Sequence, residues 1–153
     1  MQLSEHFTLE EFLRSQTAAR LGREIVPSPA EVENLKTLCV TVLEPIRSRL
    51  GRQIVVTSGL RPEWLNVSIG GASKSAHMTG RAADIQAVGM TPTVFAGWIR
   101  NQELPLDKCI LEFPDSSGGG WVHVQIPEGG NKPRNEYLLA RSVAGATVYE
   151  VMV

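Results

Sequence analysis

Apolar positions fall into two alternating regimes along the chain. Thr8-Leu9-Glu10-Glu11 is a capping box, and Phe7 can staple onto Phe12, so a short helix is predicted from Leu9. Ser28-Pro29-Ala30-Glu31 is a second capping box with proline at the first helical position. Behind it Val32, Leu35, Cys39, Val42, Ile46 and Leu50 recur at helical spacing, and Gly51 is a natural stop. Pro45 lacks a backbone donor and should bend this helix. Thr91-Pro92 opens a third helix with Phe95, Trp98 and Ile99 on its buried face. Strands are predicted at 54–57, 82–86, 109–113 and 121–126, with a weaker hairpin from 137–140 and 147–151. Helices set apart from short antiparallel strands predict an α+β fold. The expectation is one small domain over residues 1–153, its antiparallel sheet carrying the candidate site and its helices packed on one side.

Composition narrows the function classes. A chain of 153 residues can bury about two thirds of the surface that it exposes when unfolded. A net charge of −1 argues against a nucleic-acid binder that relies on a basic surface, and no apolar run has transmembrane length. The start, Met-Gln-Leu-Ser-Glu-His, lacks the basic and apolar regions of a signal peptide. The expectation is a monomer made in the cytoplasm that needs another route to any target outside the cell. Cys39 and Cys109 sit in apolar settings without metal-ligand spacing and read as reduced core thiols.

The candidate chemistry is concentrated in His77, Asp84 and His123. Two imidazoles and a carboxylate form a zinc-ligand set that leaves one tetrahedral position open, as a catalytic site requires. Asp84 follows His77 by seven residues, which is not the spacing of ligands on one helix. His77 is therefore placed in a loop, with Gly80 permitting a reversal and Asp84 on a strand. Alternation along the strand at 121–126 puts Trp121, His123 and Gln125 on one face and Val122, Val124 and Ile126 on the other. His6 lacks a partner motif and reads as part of the N-terminal cap region.

A zinc hydrolase also needs a base for the attacking water. Glu112 is the only acid in the apolar run Cys109-Ile-Leu-Glu-Phe113, and a carboxylate seldom sits buried without a partner. It is the first candidate, and Asp115 in the following loop is the second. A hairpin closed symmetrically by residues 114–120 would pair Phe113 with Trp121 and Glu112 with Val122, turning Glu112 away from His123. The reading of Glu112 as the base requires a one-residue register offset or a bulge that places Glu112 opposite His123 or Trp121. Trp121 either walls the cleft or packs within the sheet.

Ser75-x-His77-x-x-Gly80-x-Ala82-x-Asp84, followed by Trp121-x-His123, resembles the M15 family of zinc peptidases. These include D-alanyl-D-alanine carboxypeptidases and phage endolysin peptidases that cut peptidoglycan peptides. The resemblance extends from His6-Phe7-Thr8-Leu9-Glu10-Glu11-Phe12 through Thr57-Ser58-Gly59-Leu60-Arg61 and Leu65-Asn66 to about Val124. It departs from the family at Leu60, where an aromatic is expected. It departs again at Gly120, where many members carry the acid three residues before the last histidine.

The resemblance implies one zinc ion held by His77, Asp84 and His123. It implies that Arg61 binds the substrate carbonyl or developing oxyanion, although an arginine before Pro62 is otherwise an ordinary surface residue. It implies a contact from Ser75 to the carboxyl-side end of the peptide, where a turn-forming serine is the plainer reading. The expected function is hydrolysis of peptidoglycan stem peptides by a phage or prophage enzyme, acting on the cell wall after release or within a phage particle. The alternatives are a non-catalytic cell-wall-binding or virion structural module that keeps the fold, and a zinc amidase or peptidase for other substrates.

Overall fold

The computed structural model describes residues 1–152, so Val153, the last residue of the expected domain, lies outside the described residues. The chain forms an α+β unit of one six-stranded sheet and a set of helices. Two short helices come first, α1 (Leu9–Leu13) and α2 (Gln16–Arg20). The Glu11 carboxylate accepts from the Thr8 N–H at 2.7 Å, which holds the start of α1. In α3 (Pro29–Leu38) the capping box is reciprocal: Ser28 Oγ accepts from Glu31 N–H at 3.2 Å and Glu31 Oε2 accepts from Ser28 N–H at 2.8 Å.

The helical run continues from α3 through a π turn, Cys39–Leu43, into α4 (Glu44–Leu50), and stops at Gly51. The π turn is how the chain accommodates Pro45. A proline ring crowds the carbonyl four residues back and leaves it without a donor. Widening the turn lets Glu44 N–H reach back to the Cys39 carbonyl, ahead of the proline. Leu35, Cys39, Val42 and Ile46 are fully buried as the spacing predicts, and Leu38 and Leu43 join them. The remaining helices are α5 (Glu63–Ser68) and α6 (Pro92–Arg100), where Phe95 and Ile99 are buried and Trp98 packs partly against the core.

The strands are β1 (Ile54–Ser58), β2 (Ala82–Ala87), β3 (Lys108–Glu112), β4 (Trp121–Gln125), β5 (Glu136–Val143) and β6 (Ala146–Val151). Their order in the sheet is β1-β2-β4-β3-β5-β6. The expected antiparallel sheet is corrected to a mixed one, because β5 pairs with β3 in parallel. The reason is positional. Both flanks of β4 are already taken by β2 and β3, and the chain leaving β4 crosses to the free edge of β3. Running opposite to β4, it then runs with β3. The β5–β6 hairpin forms as expected and is longer than predicted, turning at Ala144-Gly145.

The two faces of the sheet differ sharply. Ile85 (β2), Cys109 and Leu111 (β3), and Val122 and Val124 (β4) join the helix side chains in one core. The opposite face carries Asp84, Ile110, Glu112, His123 and Gln125. Strand alternation thus separates the apolar core from the candidate site at every second residue.

Candidate metal centre

Asp84 and His123 are direct partners across β2 and β4, which fixes both on the open face. His77 arrives from a separate element, a 3₁₀ turn over Ala76–Thr79. Ser75 caps that turn, its Oγ accepting from the His77 N–H at 3.2 Å, and Gly80 ends it with φ 75°. The turn is tied to the strand end at β1, because Arg61 N–H donates to the His77 carbonyl at 3.0 Å.

The three side chains converge. His77 Nε2 lies 3.2 Å from His123 Nδ1, and Asp84 Oδ1 lies 3.3 Å from each. All three residues are buried. The hydrogen bonds on their far sides decide where the protons are. His77 Nδ1 is 2.8 Å from the Gly59 carbonyl, which can only accept, so Nδ1 carries the proton and Nε2 offers a lone pair. His123 Nε2 is 2.8 Å from Gln125 Oε1, and Gln125 Nε2 donates to Asp107 at 3.1 Å. His123 therefore offers its Nδ1 lone pair. Asp84 Oδ1 is buried with no hydrogen-bond donor.

Three electron pairs thus meet with no proton between them, an arrangement that is repulsive unless a cation joins it. Donor atoms about 2.0–2.1 Å from a tetrahedral ion lie about 3.3–3.4 Å apart, close to the separations here. Among the described residues, His77, Asp84 and His123 form the group that could hold a metal ion. Burial alone would raise the Asp84 carboxyl, but His123 and His77, where they carry a proton toward it, hold it well below the usual carboxylate range. Burial pushes the His77 imidazole down, toward the neutral form that a ligand needs. At His123 burial acts the same way but is outweighed by Asp84 and Gln125, which raise it.

Gly59 has a packing reason for its place. A Cβ there would lie 2.6 Å from the Phe12 backbone. Leu60, where the family resemblance leads one to expect an aromatic, is buried in the core and does not line the cleft. Its N–H donates to the Phe12 carbonyl at 2.9 Å.

The β3–β4 hairpin has the one-residue offset. Glu112 pairs with Trp121 and Ile110 with His123, so Glu112 shares the face of His123 and lines the cleft. The offset arises because Phe113 leaves the strand with φ 51° instead of pairing with Trp121. Burial raises the Glu112 carboxyl above its ordinary value, and the Asp84 charge adds to that. Asp115 is occupied elsewhere. Its Oδ1 accepts from Ser117 N–H, Ser117 Oγ and Gly119 N–H, and it is exposed outside the cleft.

Gly120 explains the absence of an acid three residues before His123. Its φ is 97°, and a Cβ there would meet the Glu112 carbonyl at 2.6 Å. No side chain fits at that position.

Arg61, Ser75 and Trp121 all line the same cleft. The Arg61 Nε is buried without a hydrogen-bond partner, and Asp84 and Glu112 are the charges acting on the group. Trp121 is partly exposed and tilts against Phe113, with ring centroids 5.4 Å apart. His6 is remote from the site, its Nδ1 2.8 Å from Glu44 Oε2.

Two contributors escaped the sequence reading. Alternation places Gln125 on the His123 face, but nothing in the sequence marks it as the partner of His123. The Gly59 carbonyl is a backbone group, and composition gives no sign of it.

A buried His-Asp-His cluster that could hold a metal ion thus lies on the open face of a mixed sheet, beside a cleft lined by Glu112 and Arg61. The M15 peptidase family model matches residues 5–124, and the chain belongs to that family. No curated protein matches the chain. No helix among the described residues is long and apolar enough to cross a membrane.

Proposed function

We propose that this protein is a zinc-dependent peptidase that hydrolyses peptidoglycan stem peptides, in a phage or prophage lytic role. The observation that carries the reading is the convergence of three proton-free donor atoms at 3.2–3.3 Å, with Glu112 on the same sheet face. Two nitrogens and one carboxylate oxygen suit zinc, and a zinc ion there would polarise the scissile carbonyl and acidify water.

The chain's own groups supply the rest. Glu112 takes a proton from the attacking water and returns it to the leaving amine. Its raised proton affinity supports that exchange, because a carboxylate with an ordinary value is a weaker base. Arg61 lines the cleft, and a guanidinium there is suited to a developing oxyanion. Ser75 and Trp121 bound the space for the peptide, though Ser75 also has its capping duty. The peptidoglycan substrate is supported by the family resemblance alone.

A non-catalytic cell-wall or virion module is favoured by one observation, the glycine at the position where many family members carry the acid. Purified peptidoglycan separates the two readings. A peptidase should release new amino groups, lose that activity to a chelator and regain it with zinc. Mass spectrometry of the fragments identifies the bond cut. No release by zinc-loaded protein from any peptidoglycan type would overturn the peptidase reading.

A further inference from the structure

Behind His123 a line of polar side chains runs from the metal-ligand cluster to the surface. Gln125, 9% exposed, stands 2.8 Å from His123 Nε2 through its Oε1. Its Nε2 donates to Asp107 Oδ2 at 3.1 Å. Asp107 is 4% exposed and lies in the loop before β3. Arg134, from the β4–β5 connection, donates Nε to Asp107 Oδ1 at 2.9 Å and Nη2 to Oδ2 at 2.7 Å. The Arg134 backbone N–H approaches Oδ1 at 3.4 Å.

We propose that Asp107, oriented by Arg134, is a positioning residue that sets the metal-binding tautomer of His123 through Gln125. An ionised carboxylate accepts hydrogen bonds and donates none. Gln125 must therefore turn its amide NH₂ toward Asp107 and its carbonyl oxygen toward His123. A carbonyl facing Nε2 requires the imidazole proton to be there. Nδ1, the atom beside Asp84 and His77, is then left with its lone pair. The polarity of a buried carboxylate two side chains away decides which nitrogen of His123 can bind a metal.

The rest of the surroundings enforces this polarity. Four donors meet the two oxygens of Asp107: Arg134 N–H and Nε on Oδ1, and Arg134 Nη2 and Gln125 Nε2 on Oδ2. In Asp107→Asn, the remaining oxygen is best placed facing Arg134 N–H and Nε: Gln125 can rotate to accept from an amide at the other position, leaving only Arg134 Nη2 opposed, whereas the reverse orientation opposes two Arg134 donors that cannot become acceptors. The new amide NH₂ then points at Gln125, which must rotate to present its carbonyl. Its own NH₂ turns to His123, Nε2 becomes an acceptor, and the proton moves to Nδ1. That proton occupies the position a metal would take.

The proposal rests on the metal-site reading, but its test needs no peptidase activity. The chain has three histidines, so ¹⁵N-histidine spectra are readily assigned. In metal-free protein at a pH where the rings are neutral, wild type should show His123 protonated at Nε2. Asp107→Asn should show it protonated at Nδ1, with His77 still protonated at its own Nδ1 and far-ultraviolet circular dichroism unchanged. Zinc affinity, measured by competition with a chromophoric chelator, should fall by about 10–100-fold, the usual scale for losing an outer partner of a ligand.

The double variant Asp107→Asn/Gln125→Glu reverses the polarity of the pair and keeps the charge count. The introduced carboxylate at position 125 accepts both from His123 and from the new amide at position 107, so the tautomer and affinity should return to within a few-fold of wild type. A purely packing role predicts no such recovery. Should Asp107→Asn not fold, Gln125→Met removes the acceptor while leaving the Asp107–Arg134 pair in place. It should populate the Nδ1-protonated ring and weaken zinc binding. Wild-type tautomer and affinity in either single variant overturn the proposal, as does a loss that the double variant fails to rescue. Absence of zinc binding by the wild-type protein would instead refute the site reading itself.

Discussion

Asp84 and His123 are cross-strand partners whose Oδ1 and Nδ1 atoms stand 3.3 Å apart, and the Asp84 oxygen has no hydrogen-bond donor. A buried carboxylate oxygen facing two imidazole lone pairs is unfavourable without a cation. The purified protein should therefore contain about one zinc ion. His77→Ala and His123→Ala should each lose most of it, as read by elemental analysis after dialysis. Full retention in both variants would remove these residues from the ligand set.

Arg61→Ala should separate binding from chemistry. The side chain is not among the three donors, so zinc content and fold should persist. Loss of a cation aimed at an oxyanion should lower turnover by on the order of a hundredfold or more. The backbone bond from Arg61 N–H to the His77 carbonyl survives the substitution, which keeps the 3₁₀ turn in place. Unchanged turnover would reduce Arg61 to a surface residue.

What could be read from the sequence divides along a physical line. Local signals carried well: both capping boxes, the buried stripe of the long helix, and the alternation that turns His123 away from Val122 and Val124. Pro45 was a visible defect, but its resolution as a π turn depends on how the Cys39 and Glu44 backbone groups re-pair. The parallel pairing of β5 with β3 was hidden, because it follows from which strand edges remain free in three dimensions. The register of Glu112 is not fixed by the strand pattern. A single backbone angle at Phe113 decides it, and a phenylalanine gives no hint of a left-handed conformation. The proton positions on His77 and His123 come from Gly59, Gln125 and Asp107, none of which stands in the ligand motif.

Gly120→Glu places an acid where many M15 members carry one, and here it should fail. The backbone angle of 97° and the 2.6 Å approach of a Cβ to the Glu112 carbonyl require the hairpin to shift. Strained conformations of this kind cost roughly 1–3 kcal/mol before the clash is counted. The variant should lose at least about 2 kcal/mol in urea unfolding and should not gain activity. Wild-type stability with increased turnover would show that the hairpin yields more easily than its geometry implies.

Burial pushes the Cys39 and Cys109 thiols up to about 12. Since the thiolate is the reacting species, neither should react with a disulfide reagent in native protein from neutral pH to about 9, where an ordinary cysteine reacts readily. Both should react once urea unfolds the chain. Prompt labelling of native protein would mean that the core around β3 or the π turn opens locally.

Glu112→Gln is the most demanding test of the mechanism. The one-residue hairpin offset puts Glu112 on the metal face, with Ala140 as its neighbour on β5 and Trp121 on β4. Glutamine keeps the shape and can still hydrogen bond, but it cannot take a proton from water. Its neutral amide also avoids burying a charge, so folding stability should hold or rise slightly. Zinc should be retained, because Glu112 stands apart from the three converging donors. Turnover should fall by roughly two to four orders of magnitude, the scale of losing a general base. Aspartate at the same position draws the carboxylate back by one methylene and should recover only part of the rate. Steady-state rates on a peptide substrate, alongside zinc content and urea midpoints for all three proteins, decide the matter. A glutamine variant that keeps full turnover would displace Glu112 from the mechanism, and Asp115, bound into its own loop by three hydrogen bonds, offers no ready replacement.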